Sequence, residues 1–215
     1  MTAIHVVTCD NRHAYRTEIE CHHALRHDIF VGERGWTALA RPDGRDVDAY
    51  DDRNAIYLLA IDGGRVVGGQ RLYPTLLPHM MSEVFPYLAA RRGVPSAPDV
   101  FEWTRYFVVK ERRVGRTDCM LLAALQQFCL EEGIAEVTAV VEAWWLPRWQ
   151  QAGFRARPLG LPAMVEGQPT LAVAVEISEE SLAAVRAKAR LPQSVLVRRG
   201  RIGPVVDRVS YARAS

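Results

Sequence analysis

The sequence predicts a single α/β domain built on a mixed sheet, and three observations carry that prediction. Two apolar runs flank a tight turn at Asp62-Gly63-Gly64, the mark of a β-hairpin. Residues 100–177 then alternate between strand and helix patterns. No repeat and no linker divides the 215 residues, a length that suits one large domain.

In chain order, Ile4 to Thr8 reads as a short edge strand. Helical spacing from His13 to about Phe30 predicts one or two helices. Residues 39–52, rich in Asp, Gly, Pro and Arg, read as a loop of functional length. The hairpin follows, with strands at 55–61 and 65–72. Five prolines in 74–99 predict short helices and loops, and strand character returns at Val100 to Val109. Asp118 is the expected N-cap of a helix that covers 120–128 and ends at Gly133. A strand at 135–142, a helix at 145–151 stopped by Gly153 and a strand at 170–177 come next. Ser178 opens a last helix, to about Arg190.

Composition narrows the class. With 27 Lys+Arg, 25 Asp+Glu and 49% hydrophobic residues, the chain is neither disordered nor fibrous. No apolar run approaches membrane-spanning length, and the first residues lack the pattern of a signal peptide. Four cysteines without C-x-x-C spacing complete the expectation of a cytoplasmic chain with reduced thiols. Residues 186–215 carry eight basic residues and one acid, leaving 19 basic and 24 acidic residues elsewhere. Residues 1–190 are therefore read as the domain and 191–215 as a basic tail. Such a tail is either a solvated terminus or a contact for an anionic partner. Without interleaved aromatics it predicts no nucleic-acid partner, and no membrane insertion is expected.

Three groups of residues carry candidate chemistry. Strand alternation places Glu102, Thr104 and Tyr106 on one face and Phe101, Trp103, Arg105 and Phe107 on the other. A carboxylate among aromatics is desolvated, which raises its pKa and suits a general base. The competing reading is a structural ion pair with Arg71 or Arg105. The second group, Arg112-x-x-Gly115-x-Thr117, approaches the Gln/Arg-x-x-Gly-x-Gly/Ala turn of acetyltransferase-like (GNAT) folds. Its backbone N–H groups, with Arg112, Arg113 and Arg116, either face a thioester's phosphates or form a plain surface turn. The third is acidic: Asp43, Asp46, Asp48, Asp51 and Asp52 among Arg41, Arg45 and Arg53. Its spacing fits no calcium loop, leaving pairing with arginines or capture of an ammonium or sulfonium group. Six histidines show no metal-binding spacing, so no metal is predicted, and His22 and His23 read as helix-surface residues.

Several positions agree in order with one family: Arg26-x-x-x-Phe30, Trp36, Asp48-x-x-Asp51, Gly68-x-x-Arg71-Leu72-x-Pro74-Thr75, Phe85-Pro86 and Glu102-x-Thr104-Arg105. Together they resemble the acyl-homoserine-lactone synthases, the autoinducer synthases of bacterial quorum sensing. The likeness runs from about residue 24 to 160, with Thr104 where the family usually has Ser. It implies a GNAT-like three-layer α/β/α sandwich with a mixed, mostly antiparallel sheet. It also implies two substrates, S-adenosylmethionine and an acyl thioester, and no cofactor. Glu102 is then the base for the methionyl amine, directly or through a water, with Thr104 and Arg105 beside it. Phe30 and Trp36 close over the adenosyl-sulfonium group, and Arg105 takes the methionyl carboxylate. Arg26, Asp48, Asp51 and Arg71 resemble the family's charged cluster beside that pocket.

Two thioester donors remain open. Acyl-carrier protein is acidic and needs a basic docking surface, whereas coenzyme A needs a pyrophosphate site. Lys110, Arg112, Arg113 and Arg116 suit either donor, as do Arg148, Arg155 and Arg157. Trp103, Trp144 and Trp145, with Phe101, Met80, Met81 and Leu125, are expected to line and shorten an acyl pocket. That favours a short branched or aryl group over a long straight chain. Residues 102–109 and 142–147 also resemble the branch that takes acyl-CoA or aryl-CoA. The expectation is a CoA-dependent synthase. The alternatives are the same reaction from acyl-carrier protein, a plain N-acetyltransferase, or a thioester-binding sensor without activity.

Overall fold

The computed structural model describes residues 1–191 and 194–206. Nine strands form one sheet among them: β1 (Ala3–Val7), β2 (Ile56–Asp62), β3 (Arg65–Pro74), β4 (Val100–Val108), β5 (Glu136–Glu142), β6 (Ala156–Pro158), β7 (Ala163–Val165), β8 (Gln168–Glu176) and β9 (Leu196–Val197). Their order is β6-β8-β5-β4-β3-β2-β1-β9, with β7 also paired to β8. Only β4–β5 and β1–β9 are parallel, so the sheet is mixed and mostly antiparallel. Its faces are covered by α1 (Arg16–His27) and α2 (Met80–Glu83) on one side, and by α3 (Thr117–Glu131), α4 (Trp145–Gln151) and α5 (Glu179–Ala189) on the other.

β2 shows why this is a three-layer fold. Ile56, Leu58 and Ala60 pack into the α3-side core, while Tyr57, Leu59 and Ile61 pack with Tyr15 and Ile19 on the α1 side. A strand buried on both faces reads as an unbroken apolar run. Gly63 and Gly64, with φ of 56° and 81°, supply the two left-handed residues that its two-residue turn requires.

β1 is not an edge strand, because β9 pairs with it on the side away from β2. Part of the segment read as tail is thus built into the sheet, with Val195 and Val205 buried. Arg198 and Arg199 pair with Glu131 and Glu18. Asp207, Arg208 and Arg213 lie outside the described residues. The N-cap position of α3 is Arg116, not Asp118; Asp118 sits in the first turn and binds side chains instead. β6 and β7, three residues each, have no counterpart in the sequence reading. His22 and His23 are buried rather than surface residues, because α1 packs them against Tyr57.

One irregularity shapes the site. Gly69 pairs with Phe107 and Arg71 with Thr104, so β4 holds one more residue than β3 across that step. The bulge sits at Arg105, whose φ is 55°. Simple alternation therefore fails: Tyr106 lies edge-on to Trp103 on the α3 side, while Arg105 joins Glu102 and Thr104 on the α1 side.

Candidate active site

β4 and β5 pair only from Val100 to Glu102, the last opposite Thr138, and then separate. A cavity of about 490 Å³ fills the gap. Phe30, Trp36, Asp48, Met80, Glu102, Thr104 and Arg105 line one end, and Trp103, Tyr106, Trp145 and Trp149 line the other. Residues from both faces of β4 meet the same space, so the cavity threads the sheet.

The polar end rests on a closed ring of ion pairs. Arg26 meets Asp46 at 2.9 Å and Asp51 at 2.7 Å. Arg71 meets Asp51 at 3.0 Å and Asp48 at 2.6 Å. Arg105 meets Asp48 at 2.9 Å and Asp46 at 2.7 Å. Each guanidinium touches two carboxylates and each carboxylate two guanidiniums, so the ring is neutral as a whole. Arg26 arrives on the buried stripe of α1 with Ile19, His22 and His23. The three aspartates come from the loop, which is folded on itself by Asp48 N–H donating to Asp51 and Tyr50 N–H donating to Asp48. Burial pushes the Asp51 carboxyl up, but Arg71 and Arg26 outweigh it and hold it far below the usual range. Burial lowers Arg71, and Asp51 with Asp48 overcomes it, leaving its pKa raised. Arg105 is lowered by burial and by the charge of Arg26.

Glu102 stands outside this ring. Its carboxylate accepts the backbone N–H of Met80 at 3.1 Å and of Met81 at 2.6 Å. Those amides open α2, which is fixed by reciprocal bonds between His79 and Ser82. Burial raises the Glu102 pKa and prevails over His79, the Met81 amide, Arg71 and the Met80 amide, all of which lower it. No ion pair within 4.0 Å holds it among the described residues, so the structural-pair reading of Glu102 does not hold. The hydroxyl of Thr104 accepts from Arg71 Nε at 3.1 Å.

The apolar end is an aromatic box. Trp103 and Trp149 stack at 4.9 Å, and Tyr106 stands edge-on to Trp103 at 5.8 Å and to Trp145 at 5.4 Å. Three of these rings anchor a polar atom outside the box: Trp103 on Gln70, Trp145 on Glu142 and Tyr106 on Asp118. The N–H of the fourth ring, Trp149, is buried without a hydrogen-bond partner, and the rest of the space between the rings is left to apolar contacts. At the rim, Phe30 and Trp36 stack at 5.2 Å, 8° from parallel. A π-helical turn, Asp28–Glu33, carries Phe30 there.

Of the residues expected to form the acyl pocket, Met80, Trp103 and Trp145 line the cavity. Phe101, Met81 and Leu125 are fully buried behind its wall, and Trp144 is half exposed, stacked on the far side of Trp145. The expected phosphate turn does not reach the cavity. Arg112 pairs with Asp62, Arg113 with Glu33 and Arg116 with the Arg190 carbonyl, while Gly115 sits in open space. The turn borders the first turn of α3, which is tied to the cavity by the Tyr106–Asp118 bond. Arg34, Glu142 and Trp149 line the cavity although no motif in the sequence marks them; Tyr106 joins them from the segment of Glu102, and Asp46, from the acidic group expected to pair with arginines, closes the ring. The one signal for Arg34 is its place one helical turn after Phe30.

Comparison with known proteins agrees with this architecture. The autoinducer synthase family profile matches residues 10–185. An isovaleryl-homoserine lactone synthase of Bradyrhizobium diazoefficiens is 53% identical over 209 residues, covering 97% of this chain and 94% of that one. The solved structure of BjaI, a CoA-dependent acyl-homoserine lactone synthase with SAM and isopentyl-CoA, superposes with a TM-score of 0.95. It is 52% identical, covering 98% of this chain and all of that one. For the fold alone, a Lactobacillus plantarum protein described as an N-acetyltransferase superposes with a TM-score of 0.55 at 18% identity, over 82% of this chain and 99% of that one. With its GNAT-like sandwich and these relatives, the chain belongs to the autoinducer synthase family, as an acyltransferase of the acyl-homoserine-lactone synthase kind.

Proposed function

We propose that the chain transfers a short branched acyl group from coenzyme A to the amine of S-adenosylmethionine and then closes the homoserine lactone. The observation that carries this is one cavity joining an unpaired buried carboxylate, a neutral ring of ion pairs and an aromatic box. The Phe30–Trp36 stack offers aromatic faces to the sulfonium, and Asp48 presents the neutral ring of ion pairs to the cavity beside it. Glu102 takes the proton from the methionyl amine. The freed nitrogen bonds to the thioester carbon, the carbon–sulfur bond breaks, and its electron pair leaves on the thiolate of coenzyme A. Backbone groups exposed where β5 parts from β4 are suitable donors for the intermediate oxyanion.

In the second step a methionyl carboxylate oxygen bonds to the γ-carbon. The carbon–sulfur bond there breaks, and its electron pair neutralises the sulfonium as methylthioadenosine leaves. A sulfonium is a good leaving group, so positioning matters more than acid catalysis. Arg26, Asp51 and Arg71 act from behind, holding Asp48 and Thr104 in place. The box of Trp103, Tyr106, Trp145 and Trp149 suits a compact branched or aryl group, in line with the isovaleryl product named for the Bradyrhizobium relative. Coenzyme A rather than acyl-carrier protein is the donor, supported by the CoA dependence of BjaI. Its phosphates are assigned to the Arg112–Arg116 turn before α3. A cytoplasmic location, with the two small-molecule substrates as partners, is in keeping with this reaction.

The test is incubation of the purified protein with S-adenosylmethionine and a panel of acyl-CoAs, aryl-CoAs and acyl-carrier proteins. Mass spectrometry should find methylthioadenosine and a branched N-acyl lactone in equal amounts from the CoA substrates. Turnover restricted to acyl-carrier protein would reverse the donor assignment, and acetyl transfer without a lactone would reverse the reaction.

A further inference from the structure

Arg34 is the cavity's one cation, among the described residues, that lies outside the balanced ring. The lining contains two arginines, Arg34 and Arg105. Arg105 is compensated by Asp46 and Asp48, at 2.7 and 2.9 Å. Three guanidiniums face three carboxylates in that ring, so it has no net positive charge to offer an anion. Arg34 differs. Its nearest carboxylate is Glu142 at 3.9 Å, beyond hydrogen-bonding distance, and the side chain is 27% exposed. Glu142 is itself committed at its other oxygen, which accepts from Trp145 Nε1 at 3.1 Å.

The position of Arg34 is as specific as its charge. Its guanidinium lies 5.3 Å from the centroid of Phe30 and 5.5 Å from that of Trp36, over the stack assigned to the sulfonium. Arg105 approaches Phe30 at 5.8 Å. Phe30 is thus approached by a compensated guanidinium and by a nearly free one. A methionyl group holds its carboxylate, ammonium and sulfonium within a few bonds of one another. With the sulfonium over the aromatic faces and the amine toward Glu102, the one lining guanidinium left without a close carboxylate is that of Arg34.

We propose that Arg34, rather than Arg105, binds the methionyl carboxylate of S-adenosylmethionine at the rim of the cavity. The proposal rests on the substrate reading above. It also suits the lactone step, since a single guanidinium shared with Glu142 restrains the carboxylate while leaving one oxygen to reach the γ-carbon. Burial lowers the Arg34 pKa, and Glu142 opposes that shift; an incoming carboxylate would add to the opposition.

The experiment is calorimetric titration of wild type, Arg34→Gln and Arg34→Lys with S-adenosylmethionine, with its decarboxylated analogue and with methylthioadenosine. Wild type should prefer the carboxylated ligand by roughly 10- to 100-fold, the scale of one charge-assisted pair. Arg34→Gln should abolish that preference, leaving affinity for the analogue and for methylthioadenosine unchanged, and Arg34→Lys should keep part of it. A merely structural role would lower all three affinities together. Retained preference in Arg34→Gln, or a parallel loss for all ligands, overturns the assignment. Should wild type bind no S-adenosylmethionine at all, the substrate reading itself fails instead. Glu142→Gln gives an independent check of opposite sign: removing the competing carboxylate should tighten S-adenosylmethionine binding, and weaker binding counts against the proposal.

Discussion

Asp51→Asn removes one negative charge from a ring that holds three guanidiniums, with almost no change in volume. The Asp51 carboxylate is fully buried and touches Arg26 at 2.7 Å, Arg71 at 3.0 Å and the Tyr57 hydroxyl at 2.8 Å. Breaking a buried ion pair by deleting one partner costs about 3–5 kcal/mol, because the remaining charge is left unmatched. For a chain of this size each kcal/mol moves Tm by about 2–4 °C, so a fall of roughly 6–20 °C is expected at neutral pH. The pH dependence has a definite sign. The folded pKa of Asp51 is depressed, so its stabilisation is complete above the unfolded value and is lost as pH falls. The gap between wild type and variant should therefore be full at pH 7 and narrow below about pH 4. Scanning calorimetry at both pH values measures it, with Asp43→Asn, in an exposed pair with Arg45, as a control that leaves Tm in place. Equal Tm values at pH 7, or a gap that widens in acid, would refute the reasoning.

Two further outcomes follow from packing. Trp145→Leu shortens one wall of the aromatic box, so kcat/KM should shift toward longer acyl-CoAs, on the order of tenfold per accommodated methylene. Competition assays with acyl-CoAs of increasing length would detect it, and an unchanged preference would remove Trp145 from the acyl wall. In Gly69→Ala, the new Cβ would lie 2.7 Å from Nδ1 of the fully buried His22 on α1. Urea unfolding should show a loss of about 1–3 kcal/mol at unchanged m-value. Full stability would mean that α1 sits on β3 more loosely than described.

The sequence exposes the frame of this molecule more readily than the details of its site. The β2–β3 hairpin is legible because its turn needs two left-handed residues and only a glycine pair supplies them cheaply. α4 and α5 are legible from a glycine stop and a serine cap. β6 and β7 are not, since three-residue strands containing or bordering proline show no periodicity. The bulge at Arg105 is hidden for a different reason. Alternation assumes one residue per step, and the extra residue shows only in the register with β3. His22 and His23 look like surface residues because histidine is polar, yet their rings pack with Tyr57. Glu102 and the charged residues around it are found from the ordered motif. The sequence does not show that Asp46 closes the ring, because a charge balance among six side chains exists only in three dimensions.

The base assignment is tested most directly by Glu102→Gln in single-turnover measurements of coenzyme A thiol release, with S-adenosylmethionine affinity followed in parallel. Removing a positioned base should slow release by about 10²–10⁴-fold while affinity stays at the wild-type value. Release at the wild-type rate, or a loss explained wholly by weaker binding, would contradict the account.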